Sequence, residues 1–298
     1  MKGVIFFPRR YYNFRIDRLE DFITQIAKAF ELQIILDPPY KVPKDLDLVI
    51  LYGYPHHDPV RRDSFPEIMN LPKKTKIIGH SHDIHSPAAF VPDYKKMYDR
   101  IDMIMVTAPA YFEKCYPEYM HKVKRLPSYF GPQKRYINMP YNEKPINKCL
   151  VVGAKNPQVY PLRVFIRNNI KKAPIVISGA DRDAYAKLLN NYFCCATCSS
   201  IYNYAVAKYW EIPAAGSLLI ANPVIEALKV GMVPNKHFVP INRANAITTI
   251  NDVCKNPDKY EHIRREGMEY VRANHGVDTR VKQYCEIIKD FMSKGGVV

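Results

Sequence analysis

Lys208-Tyr209-Trp210-Glu211-Ile212-Pro213-Ala214-Ala215-Gly216-Ser217-Leu218-Leu219-Ile220-Ala221 carries three structural signals in one run. A helix bearing Lys208 and Glu211 leads into a small-residue turn, and an apolar strand follows. Pro213 is awkward inside a helix, so the helix is expected to start or kink there. Helix, turn and buried strand in that order form one repeat of an α/β sheet. The small residues would let backbone N–H groups come close to a phosphate or sugar. A carboxylate one turn away offers two acceptor oxygens to a vicinal diol. A solvated Lys–Glu pair beside a tight turn is the competing reading.

Outward from this run the same alternation continues. Upstream, Cys149–Gly153 reads as a strand, Leu162–Ile170 as a helix, Ile175–Ser178 as a strand and Asp181–Tyr192 as a helix. Downstream, Val281, Tyr284, Cys285, Ile288 and Phe291 keep helical spacing. The first half alternates likewise. Val4–Phe7, Leu32–Leu36, Leu46–Leu51, Lys76–Ile78, Met103–Val106 and Val123–Leu126 read as strands. Helices are expected over Leu19–Phe30, Tyr94–Tyr98 and Tyr111–Tyr119. Pro132, Pro140 and Pro145 interrupt a polar stretch between the halves. The predicted organisation is therefore an α/β chain of two Rossmann-like domains. An N-terminal domain covers 1–130, a linker 131–147, a second domain 148–275 and a terminal helix 276–298. Two such domains place the ligand site in a central cleft, outside the carboxyl ends of the strands.

Composition narrows the partners. The chain has 298 residues, with 44 Lys+Arg against 29 Asp+Glu, a formal net charge of +15. Both halves share it: 24 basic and 17 acidic groups in 1–150, 20 and 12 in 151–298. With 47% hydrophobic residues the chain is no disordered polyelectrolyte. A spread basic excess suits phosphate-bearing partners, whether nucleotide, nucleic acid or anionic membrane. No apolar run reaches the length of a membrane span, and Val4–Phe7 is too short for a signal-peptide core. A cytoplasmic location is expected, with peripheral attachment to a membrane compatible with the charge. Seven cysteines in a long chain do not suggest a disulfide framework. Cys195-Ala-Thr-Cys198 lacks a partner pair, so these read as reduced cysteines near a buried strand rather than zinc ligands. No Walker loop, nucleophile elbow or complete dinucleotide fingerprint is present.

The run 208–221 resembles the donor-site segment of GT-B glycosyltransferases, and is most similar to the CgeB-like (spore-maturation-protein-like) branch near families 1 and 4. The resemblance extends over 148–292. It takes in Val151-Val152-Gly153, Tyr160-Pro161-Leu162-Arg163, Val233–Val239, Asn256–Tyr260, Arg264–Gly267, His275 and Arg280. It implies a GT-B fold whose C-terminal helix packs back across both domains. It further implies transfer of a sugar from a nucleotide-sugar donor, UDP- or GDP-linked, to an acceptor hydroxyl of a carbohydrate or glycoconjugate. Glu211 aligns with the carboxylate that holds the donor ribose, and Gly216 and Ser217 match the turn facing the pyrophosphate. Gly153, Tyr160, Arg163 and Lys208 fall on the donor side, with Arg163 and Lys208 neutralising the diphosphate. No cofactor and no metal is implied. Many family 4 enzymes carry a second carboxylate eight positions before the ribose-binding one. Asn203 stands there, so the paired signature is incomplete, although Tyr202, Asn203 and Tyr204 can still line the site.

In the first half, His80-Ser81-His82-Asp83-Ile84-His85 follows a strand end, where sites of open α/β sheets sit. Three His and one Asp could bind metal, but their spacing fits known ligand sets poorly. A general base for the acceptor hydroxyl is preferred, Asp83 and His85 ahead of His82. Two other enzyme classes, a sugar-nucleotide epimerase and a phosphorylase, share the fold. A basic nucleic-acid-binding protein is a rival of another kind, with no RNP strand or helix-turn-helix to support it; nucleic acid is not an expected partner.

Overall fold

The computed structural model describes residues 1–6, 21–36, 42–51, 68, 70–81, 93–126, 131–180, 182–296 and 298. The chain divides into two compact units, Met1–Leu126 with Arg280–Val298, and Pro127–Thr279.

The first unit is built on β1 (Gly3–Phe6), β2 (Gln33–Ile35), β3 (Leu48–Leu51), β4 (Lys76–Ser81), β5 (Met103–Val106) and β6 (Val123–Arg125). They form one parallel sheet in the order β2-β1-β3-β4-β5-β6. Every residue of β3 and β5 is buried, as a strand covered on both faces requires. Residues 21–30 are helical (α1) and bury Phe22, Ile23 and Ile26 at helical spacing. The helices α2 (Asp93–Arg100) and α3 (Pro109–Cys115) add Met97, Tyr98 and Phe112 to the core over the sheet.

The second unit repeats this winding. Its strands β7 (Ile146–Val151), β8 (Ile175–Ile177), β9 (Tyr192–Ala196), β10 (Leu218–Ala221) and β11 (Val239–Pro240) lie parallel in the order β11-β10-β9-β7-β8. Its helices are α4 (Lys134–Ile137), α5 (Pro161–Asn168), α6 (Arg182–Asn190), α7 (Lys208–Ala214), α8 (Ile225–Leu228), α9 (Ala246–Lys255) and α10 (Pro257–His275). Two apolar clusters cover the two faces of the sheet, one around Leu150, Cys195, Trp210 and Leu219, the other around Val151, Cys194, Ile220 and Ile250. Gly267 lets α10 come close to a neighbouring carbonyl, because a Cβ there would stand 2.4 Å from the His237 oxygen. The last helix, α11 (Val277–Ser293), starts in the second unit, and its residues from Arg280 onward belong to the first. No helix of the described residues is long and apolar enough to cross a membrane.

Several expectations shift. Residues 131–147, read as a linker, lie within the second unit: Tyr136 is buried in its core, and Arg272 donates to the Tyr136 and Met139 carbonyls. Cys194 and Cys195 are not near a strand but in β9, the centre of the sheet. The helix α7 starts at Lys208, not at Pro213, which stands in its last turn.

Candidate functional site

Strand order in the second unit reverses at β7, whose neighbours are β8 on one side and β9 on the other. Open α/β sheets leave a crevice at such a switch point, outside the carboxyl ends of the strands. Here the crevice lies between the residues following β7 and those following β9.

Gly153 follows β7 in a left-handed conformation, φ +104°, and is exposed. A Cβ on it would stand 3.0 Å from Arg163 Nη1 and 3.0 Å from Lys208 Cε. Glycine is thus required twice, by its dihedral and by the two cationic side chains beside it. Arg163 comes from the first turn of α5, and Lys208 opens α7. Three residues widely separated in sequence meet at one strand end.

Arg163 spans the crevice. Its Nη1 donates to Ala154 O at 3.3 Å after β7; its Nη2 donates to Thr197 Oγ1 at 3.1 Å and Cys198 O at 3.2 Å after β9. Its guanidinium lies 4.1 Å from the centre of the Tyr160 ring. It is only 2% exposed, and its Nε–H has no partner. A second cation, Arg167, donates from Nη1 to Gly153 O at 3.1 Å. Burial, then the neighbouring Arg163 charge, lowers the Arg167 pKa. Among the described residues, no carboxylate pairs with either arginine. Opposed to this positive charge, burial raises the Cys198 thiol, with Arg163 pulling the other way.

Glu211 lies three residues after Lys208 on α7, so the two share a helix side; it is buried. Tyr202 and Tyr204 stack nearly parallel, 6.5 Å between ring centres, in the loop after β9. That loop meets the loop before α5 through Ile201 N–H and Val159 O. Asn203 lies in the same loop, exposed, with φ +59°. The structure therefore gathers Gly153, Tyr160, Arg163 and Lys208 directly, with Glu211 one turn along α7 and 202–204 on the adjoining loop.

Gly216 and Ser217 fall elsewhere. The helix α7 precedes β10, so its C-terminal turn enters that strand at its start, the edge opposite the crevice. Ser217 Oγ donates to Tyr192 O, at the beginning of β9, and Gly216 O accepts from Arg264 Nε. A four-residue strand separates the edges by about 13 Å. The expectation that these two residues face the pyrophosphate is corrected on this ground: helix-then-strand order puts the turn on the wrong side, and both residues serve packing there.

Asp83, His85 and His82 lie outside the described residues. Their neighbour His80 is buried in β4, its Nε2 2.5 Å from the Tyr284 hydroxyl on α11. All seven cysteines are free thiols, and no group of three His, Cys, Asp or Glu among the described residues could hold a metal.

Sequence reasoning missed Asn222, Ser199 and Tyr209. Asn222 directly follows β10, where it accepts from Ser199 N–H through Oδ1 at 2.9 Å and donates from Nδ2 to Ser199 Oγ at 2.9 Å. The Tyr209 hydroxyl donates to Asn222 O at 2.6 Å, with Oδ1 at 3.1 Å. A polar residue directly after a wholly apolar strand was the available signal.

No protein-family model matches the chain, and no curated protein matches its sequence. Solved structures match its fold. The Anabaena protein HepE, solved with UDP and glucose, aligns at TM-score 0.65 and 11% identity over 97% of this chain and 100% of its own. An alpha-glucosyltransferase, solved with UDP and a 13-mer DNA containing a HMU base, aligns at 0.64 and 12% identity over 97% and 99%. Sucrose-phosphate synthase from Thermosynechococcus elongatus aligns at 0.62 and 11% over 99% and 100%. The fold is that of these two-domain GT-B glycosyltransferases, two parallel-sheet α/β domains and a C-terminal helix.

Proposed function

We propose that the chain is a glycosyltransferase that binds a nucleotide-sugar donor, UDP- or GDP-linked, at the switch crevice of its second unit. The observation that carries this is the meeting of Gly153, Arg163 and Lys208 at the end of β7, with no carboxylate of the described residues on Arg163. A buried guanidinium with no carboxylate partner among the described residues, beside a glycine that no side chain may replace, suits an oxygen-rich dianion. UDP in the complexes of HepE and of the alpha-glucosyltransferase supports the same reading.

In this reading Glu211 accepts hydrogen bonds from the two ribose hydroxyls. Lys208 and the exposed backbone of 153–154 meet the diphosphate, with Arg163 supplying charge from beneath and Tyr202 bordering the nucleoside. The acceptor oxygen forms a bond to the anomeric carbon while the bond from that carbon to the diphosphate oxygen breaks. The electron pair departs with the nucleoside diphosphate, whose growing charge Lys208 and Arg163 stabilise. The acceptor proton passes to a base, for which Asp83 and His85 are the candidates by sequence, His82 after them. In this reading Arg163 and Lys208 supply the positive charge to the leaving diphosphate, and no metal ion is invoked. The net charge of +15 suits an anionic acceptor or peripheral attachment to a membrane.

Calorimetry with UDP, GDP and their glucose conjugates tests the donor site, with Glu211→Ala and Lys208→Ala beside the parent. The expected result is micromolar nucleotide binding that both substitutions weaken. Absence of binding by every nucleotide would remove the donor assignment. Incubation of the binding donor with oligosaccharide, lipid-linked sugar and duplex DNA then reads the acceptor. Nucleoside diphosphate released only with acceptor marks transfer, whereas an altered sugar without release marks epimerisation.

A further inference from the structure

The helix α7 carries both Lys208 and Glu211, so its placement sets where both side chains stand. It has seven residues, one of them Pro213, and its N-cap residue Ala207 offers no side-chain cap. Helices this short are marginal on their own hydrogen bonds. One fixing contact comes from outside the helix, through Tyr209. Its ring is wholly buried, and its hydroxyl reaches the carbonyl of Asn222 at the end of β10. Asn222 is itself locked at two points, since Ser199 donates its N–H to the amide oxygen and accepts from the amide nitrogen through Oγ. Only an amide supplies acceptor and donor in that arrangement. One residue, through its side-chain amide and its own carbonyl, thus ties the loop after β9, the end of β10 and the first turn of α7.

We propose that Asn222 is a positioning residue which, through Tyr209, sets the rotation of α7 and so holds Glu211 against the ribose diol. The inference rests on the donor-site reading above. Asn222 touches no substrate in it; it fixes the helix from the side opposite Glu211. Burial raises the Tyr209 pKa well above the usual phenol value, so the hydroxyl remains a donor throughout the working pH range.

The test compares UDP and GDP with their 2′,3′-dideoxy forms by calorimetry on the full chain. The variants are Asn222→Ala, Tyr209→Phe and, as control, Glu211→Gln. A diol on a carboxylate is worth about tenfold to hundredfold in affinity, so the parent is expected to prefer the ribonucleotide by that factor. Asn222→Ala and Tyr209→Phe are expected to cut the preference to about threefold or less, leaving dideoxy affinity within about twofold. Tyr209→Phe removes one oxygen from a buried ring and keeps the shape, so it reports even where Asn222→Ala fails to fold. A preference retained at the parental level in Tyr209→Phe overturns the proposal. So does an equal loss for both nucleotide forms, because a merely structural role would weaken both. A parent that binds nucleotide with no diol preference, unchanged by Glu211→Gln, removes the Glu211 assignment and this inference with it. A parent whose preference falls in Glu211→Gln but persists in the other two leaves the donor site standing and overturns this inference alone.

Discussion

Arg163 lies directly beside Gly153: its Nη1 stands 3.0 Å from the position of a Gly153 Cβ and its Cζ 3.2 Å. The pairing explains two features of the switch crevice together. The glycine leaves room for a guanidinium at a strand end, and the guanidinium ties that strand end to the residues after β9. Packing and electrostatics of the crevice therefore depend on the same two residues.

Gly153→Ala should abolish nucleotide binding while leaving the fold in place. The new methyl meets φ +104° and two side chains at 3.0 Å. The dihedral alone costs about 1–2 kcal/mol, and the Lys208 arm must move from the position the diphosphate needs. Calorimetry and thermal unfolding separate the effects. Parental affinity in the variant would mean that the crevice is not the nucleotide site.

Arg163→Ala should cost more stability than any exposed arginine of the chain. It strips the Ala154 and Cys198 carbonyls and the Thr197 hydroxyl of their shared donor, a loss of about 2–4 kcal/mol for a buried multi-bonded cation. Arg163→Lys keeps the charge but cannot reach both strand ends, so an intermediate loss is expected. Urea unfolding of the three proteins checks the order. A stability for Arg163→Ala within error of the parent would show that its bonds do not hold the crevice.

Much of the fold was legible because parallel strands covered on both faces are written as apolar runs. Met103–Val106 was read residue for residue, and the strand Leu218–Ala221 is the apolar run expected after the small-residue turn. The strand β9 escaped because its buried core is Phe-Cys-Cys-Ala, and cysteines invite questions of redox and metal chemistry when here they only pack. Gly153, Tyr160, Arg163, Lys208 and Glu211 were placed together by their order in the chain, and they share one edge of the sheet because strand-then-helix order fixes the edge. Gly216 and Ser217 failed by the same logic, since a local small-residue turn does not say which end of a sheet it occupies. The residues 131–147 misled for a different reason. Their prolines and polar groups look like a linker, but their carbonyls are taken up by Arg264 and Arg272, more than a hundred positions away. No local pattern reports such partners.

Arg272→Ala should accordingly release that segment. The parent arginine donates to Ala214 O at 2.8 Å and Met139 O at 2.6 Å, joining α10 to the end of α7 and to the residues after α4. Burial lowers its pKa without neutralising it, so the bonds are charge-assisted. Limited trypsin digestion should leave the parent uncut at Lys134 and Arg135, and should open these sites in the variant. Rapid cutting of the parent there would show that 131–147 behaves as a linker after all.

A pH dependence follows from His80, on β4 just before the predicted base loop. Burial lowers its pKa from 6.5 to about 3, and the ring stacks on Tyr284 of α11 with centroids 5.2 Å apart. The same burial raises the Tyr284 phenol, so the contact joins two neutral groups. The unfolded chain takes up a proton as pH falls below 6.5, and the folded chain does not until about 3. Between those limits the unfolded state binds more protons, so stability is full above the upper limit and is lost as pH falls, at most about 1.4 kcal/mol per unit. His80→Gln should remove this slope and keep the rest of the acid sensitivity. Urea unfolding at about pH 7 and about pH 5 measures it in both proteins, followed on the segment from Arg280 onward that Tyr284 anchors to the first unit. Equal slopes in parent and variant would mean that His80 protonates freely in the folded protein.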